Sequence, residues 1–134
     1  MKQWQKSFEA QPNQLEASIN WMQMLLADTQ LSPQLANKLV LVVEEVVTNI
    51  INHTYKGDAG PLLLKVELDG QMIRFFIQDE GKQFDPTLYM KNNKPLSPRE
   101  QEGGVGLLLI NQIMDSVAYF RKGDINCLVL EKAI

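Results

Sequence analysis

Between residues 33 and 55 apolar side chains recur at Leu35, Leu39, Val43, Val46 and Ile50. Steps of three and four are the period of one helix face meeting a core. The β-branched pairs Val42-Val43 and Val46-Val47 lean locally toward strand, but alternation breaks at Glu44-Glu45 and the stretch far exceeds a usual strand. Ser32 is placed as N-cap and Pro33 suits the first helical position. With about 100° between successive residues, Glu45, Asn49 and Asn52 gather on the face opposite the apolar stripe, with Thr48 beside them.

The same reading organises the rest. Residues 2–9 alternate, with Trp4, Lys6 and Phe8 on one side, and predict a first strand. A helix from Pro12 to about Asp28 carries Leu15, Ile19, Met22 and Leu26 along one stripe, while Trp21, Met24 and Leu25 widen its apolar surface, which reads first as more core contact and second as a face for a partner or a second copy. Lys56 to Pro61 is turn chemistry, and Leu62–Asp69 and Met72–Gln78 form a hairpin around Asp69-Gly70. Residues 82–102 have little periodicity, and a loop that long in a compact domain is usually functional, often a lid, or else disordered. A helix over 104–114, a strand over 116–121, a turn at Lys122-Gly123-Asp124 and a strand over 125–130 close the chain. The order predicts one α/β (α+β) domain over 1–134, a two-layer sandwich of a mixed, mostly antiparallel sheet with helices on one face.

Composition narrows the function classes. The net charge of −3 gives no broad basic surface for nucleic acid or an anionic membrane. Cys127 is the single cysteine, read as a buried structural thiol, and His53 the single histidine, so neither a disulfide framework nor a zinc cluster can form. The N-terminus lacks an apolar signal core and no run is long enough to span a bilayer, which predicts a cytoplasmic protein.

Three stretches carry chemistry. Glu45 and Asn49 pair a proton-accepting carboxylate with an amide carbonyl suited to magnesium, although a solvated helix face produces the same pair. Asp79-Glu80-Gly81 leaves a strand end, where a carboxylate can accept from an amino group and a glycine permits close approach; an ordinary turn reads alike. Gly103, Gly104 and Gly106 run into the apolar helix beginning near Leu107, so backbone N–H groups and the helix dipole can face phosphate oxygens.

In this order the three stretches resemble the nucleotide boxes of the GHKL ATPase superfamily, and Glu45 to Tyr55 together with Asp79-Glu80-Gly81 and Phe84-Asp85-Pro86 is similar to the anti-sigma-factor serine kinases. The resemblance implies a Bergerat ATP-binding fold, with a lid over about 82–102 and ATP and Mg²⁺ as cofactors. It implies Glu45 as general base, Asn49 as magnesium ligand, Asp79 as reader of adenine, Gly81 as the opening for the base, and Gly103, Gly104, Gly106 and Leu107 around the phosphates. Arg99, with Lys94 competing, is the lid cation for the terminal phosphate. The implied partners are an anti-sigma-factor antagonist of STAS-like type, a sigma factor and a second copy of the chain. Gln83 replaces a glycine of the wider superfamily, and Asn126-Cys127 stands where relatives often carry threonine near adenine. Both departures leave open an alternative, a nucleotide-binding module that holds a regulatory protein without phosphorylating it.

Overall fold

The computed structural model describes residues 1–55, 58–88 and 107–134. Lys94, Arg99, Gly103, Gly104 and Gly106 lie outside the described residues, as do most of the expected lid and the start of the helix expected at 104.

The elements are β1 (Lys2–Glu9), α1 (Pro12–Ala27), α2 (Pro33–Asn49), β2 (Pro61–Leu68), β3 (Met72–Asp79), α3 (107–113), β4 (Ser116–Lys122) and β5 (Ile125–Ala133). Ser32 caps α2 as expected, its Oγ accepting from the Leu35 N–H at 3.2 Å, and Pro33 occupies the first turn. The strands form one sheet in the order β1-β2-β3-β5-β4. Every pairing among the described strands is antiparallel, which narrows the expected mixed sheet. Gly123, at φ 61°, makes the β4–β5 turn, a backbone region that costs glycine little.

Period-two alternation gives the sheet an inner face of Leu62, Leu64, Val66, Ile73, Phe75, Ile77, Leu128 and Leu130, all buried. Met22 and Leu26 of α1, Leu39, Val43 and Val46 of α2, and Ile110 of α3 pack with it in one cluster. The outer face stays partly open. Arg74 there bonds Glu131 at 2.7 Å and approaches Glu67 at 3.4 Å, and Lys65 reaches Glu67 at 3.3 Å.

Three expectations change. Cys127 is half-buried on the outer face rather than buried, since Asn126 and Leu128 on either side take the inner face; Gln78 Nε2 donates to its Sγ at 3.8 Å. The partner face of α1 contracts to Met24, and the expected core contact takes the rest: Leu25 is buried, and Trp21 packs edge-on against Phe8 of β1 with centroids 5.9 Å apart. Asn49 does not face water. Val40, Val42 and Val47 are buried beside the expected stripe, so α2 is covered over a wider arc, and Asn49 is only 6% exposed.

Candidate functional site

Strand alternation builds one wall of the site. Ile73, Phe75 and Ile77 point inward along β3, so Asp79, two residues on, is delivered to the inner face at the strand end. Antiparallel register then aligns Leu62, Asp79, Asn126 and Arg121 in one row across four-fifths of the sheet, on β2, β3, β5 and β4. Three polar side chains at the end of an apolar face require partners, because an unpaired buried polar group is costly.

They find them in each other. Asp79 Oδ1 accepts from Asn126 Nδ2 at 2.8 Å and from the Gly81 N–H at 2.9 Å. Asn126 Nδ2 also donates to the carbonyls of Lys82 at 3.0 Å and Gly81 at 3.3 Å. Its Oδ1 accepts from the Tyr119 hydroxyl and, at 2.9 Å, from Arg121 Nη1. Arg121 Nη1 reaches the Gly81 carbonyl as well, at 3.1 Å. Burial pushes the Asp79 carboxyl above the ordinary aspartate range, against the bonds from Asn126 and Gly81 and the nearby Arg121 charge. Both bonds fall on Oδ1, so Oδ2 keeps its accepting capacity.

The opposite wall comes from α2. Asn49 is its last α-helical residue, and the chain continues through a π-helical turn, Ile50–Thr54. Such a turn shifts the residues after it off the α-helical face, and π-turns recur at functional sites. Asn52 is accordingly exposed while Asn49 is buried. The Asn49 Nδ2 group has no hydrogen-bond partner among the described residues. Glu45, one turn earlier, is half-buried, and burial, followed by the neighbouring Glu44 charge, raises its carboxyl above the ordinary glutamate range.

Asn49 and Asp79 line the same cavity, with Ile77, Leu107 and Leu128 as apolar wall and Phe84 toward the lid side. The cavity encloses about 390 Å³ of space that includes its open mouth. The donor set suits a purine. Apolar sides accept a flat ring, Asp79 Oδ2 an exocyclic N–H, and the unpartnered Asn49 amide can offer a phosphate its N–H or a cation its carbonyl. Among the described residues no group of three or more His, Cys, Asp and Glu is placed to hold a metal. Magnesium at a nucleotide takes few protein ligands and several phosphate and water oxygens.

Tyr55 ties the π-turn to the sheet. Its hydroxyl donates to the Pro61 carbonyl and accepts from the Glu80 N–H, both at 2.7 Å. Gly81 packs so closely here that a Cβ on it would lie 2.3 Å from Thr54 Cγ2. Glycine at this position is therefore required by packing against the helix tail, beside the opening for a base that the resemblance implies.

Of the residues singled out from sequence, Asn49, Asp79 and Leu107 meet in the cavity wall, Gly81 lies behind Asp79, and Glu45 stands outside the wall on the same helix. Sequence reasoning named Asn126 only as a departure, placed Tyr55 in a motif without a role, and missed Tyr119 and Arg121. A signal existed for the last two: with Val117 they form the inward-facing alternation of β4, where a guanidinium demands a partner.

A family model described as histidine kinase-like ATPase domain matches residues 8–132. Among curated proteins, the serine-protein kinase RsbW of Staphylococcus epidermidis is 32% identical over 92 residues, covering 63% of this chain and 58% of its own length. The protein of that name from Oceanobacillus iheyensis is 33% identical over 85 residues, covering 59% and 54%. The chain thus matches little more than half the length of these relatives. Among solved structures, a chain in the crystal structure of the SiaB–SiaC complex from Pseudomonas aeruginosa superposes with a TM-score of 0.63 over 96% of this chain and 88% of that one, at 17% identity. That likeness is one of fold.

Proposed function

The chain belongs to the histidine kinase-like ATPase domain family, and from that premise we propose that it binds Mg-ATP and phosphorylates a serine of a small anti-sigma-factor antagonist of STAS-like type. The observation that carries this reading is the shared cavity of Asn49 and Asp79, one with an unpartnered buried amide, the other with a free carboxylate oxygen. The relatives' name, serine-protein kinase, supports the choice of reaction. A cytoplasmic location, a sigma factor held in a nucleotide-dependent way, and a second copy of the chain belong to the same proposal.

Each residue has a distinct task. Asp79 Oδ2 accepts from the 6-amino group of adenine, and Leu107, Ile77 and Leu128 exclude water around the ring. Asn49 holds Mg²⁺, which when bound neutralises phosphate charge. Gly103, Gly104 and Gly106 wrap the phosphates, with Arg99 of the lid as cation on the terminal one. The serine oxygen forms a bond to the terminal phosphorus, the bond from phosphorus to the bridging oxygen breaks, and Glu45 accepts the serine proton. Phosphoryl transfer draws most of its acceleration from positioning and charge neutralisation, and a base adds roughly 10² to 10⁴. Because the base works ionised, its raised carboxyl makes the rate fall off at a higher pH than an ordinary glutamate dictates.

The test mixes the protein, magnesium and terminally labelled ATP with an antagonist-like protein, beside a Glu45→Ala control. Label on one serine, cut by at least about a hundredfold in the control with ATP binding retained, is expected. Tight ATP binding without transfer would make the chain a nucleotide-gated binding module instead. Equal labelling by Glu45→Ala would remove the base assignment.

A further inference from the structure

We infer that Arg121 and Asn126 are positioning residues that fix the orientation of the Asp79 carboxylate, one oxygen engaged by the protein and the other left for the ligand, and thereby set the preference for a purine bearing an exocyclic amine. The inference rests on the nucleotide reading above. It starts from an asymmetry of donors. An amide can turn end for end, but guanidinium has no acceptor. Arg121 Nη1, 2.9 Å from Asn126 Oδ1, therefore forbids the flipped amide, which would set two donors against each other. With Oδ1 so held, Nδ2 must face Asp79 Oδ1 at 2.8 Å and the Lys82 carbonyl at 3.0 Å.

The consequence passes to Asp79. Asn126 Nδ2 and the Gly81 N–H together occupy Oδ1, and Arg121 pins the Gly81 carbonyl at 3.1 Å, so the turn that supplies the second donor is held by the same side chain. A partial turn of the carboxylate gives up both bonds, and a half-turn only exchanges two equivalent oxygens, so the plane of the group is held. One acceptor, Oδ2, is left toward the cavity. It matches a single N–H of a 6-amino group, whereas a 6-carbonyl would meet it lone pair to lone pair. Neither Arg121 nor Asn126 has to touch the base for this. Asn126 is then part of the selecting device.

Binding of ATP and of purine riboside triphosphate, which lacks the 6-amino group, separates this role from a structural one. The wild-type chain should hold ATP about tenfold more tightly, the worth of one hydrogen bond. Arg121→Gln should close that gap by weakening ATP alone, Arg121→Lys should restore part of it, and Asn126→Thr, which removes the amide facing Asp79, should narrow it independently. A gap as wide in Arg121→Gln and Asn126→Thr as in wild type, or loss of both ligands to the same degree, overturns the inference while leaving the nucleotide reading intact. A folded wild-type chain that binds neither ligand overturns both.

Discussion

Asp79 shows how a single residue trades stability for a ligand. Its carboxyl titrates above the ordinary value of 3.8 because burial penalises the charge more than Asn126, Gly81 and Arg121 relieve it. The folded state then binds its proton more tightly than the unfolded chain. Stability from this group falls as pH rises from the unfolded value through the folded one. Asp79→Asn should accordingly raise Tm by a few degrees at pH 7 and by less at pH 4. The new amide still accepts on Oδ1 but turns its N–H₂ toward the ligand, so ATP affinity should fall by at least about tenfold. A lower Tm at pH 7, read by calorimetry, would show that the carboxylate is net stabilising.

At the scale of elements, the junction between the π-turn and the β3 end holds the two walls of the site together. Gly60 and Gly81 both pack against it: an added Cβ would lie 2.1 Å from the Tyr55 ring at Gly60 and 2.3 Å from Thr54 Cγ2 at Gly81. Gly81→Ala should cost about 1–3 kcal/mol in urea unfolding, the usual range for overpacking. Gly70→Ala in the β2–β3 turn, with nothing within 4 Å of the added carbon, supplies the control. Equal stability of the two variants would mean that the π-turn yields without cost. The helix and strand periods were legible in the sequence because each is a local repeat. The end of α2 was not: winding switches from α to π after Asn49, next to a Tyr55 whose hydroxyl bonds Pro61 and Glu80, contacts no window of helical period contains.

For the molecule as a whole, a ligand that binds only the folded chain must stabilise it. At magnesium-ATP a hundredfold above Kd the gain should be about 2.7 kcal/mol, seen as a higher Tm that depends on nucleotide concentration and falls to about half or less in Asp79→Asn at the same concentration. No shift at millimolar nucleotide would count against the site. The sequence by itself determined the alternation that turns Asp79 inward, the apolar stripe of α2 with its Ser32 cap, and the order of elements, since these follow from neighbours within a few residues. It also contained the motifs whose resemblance pointed to the family. Only the tertiary structure decided that Asn49 is buried and that Asp79 is met by Asn126, 47 positions away along the chain and itself held by Arg121. Burial and charge pairing are properties of surfaces brought together. Two strands that flank a long loop acquire a shared row of polar groups only when their register is set by the whole sheet.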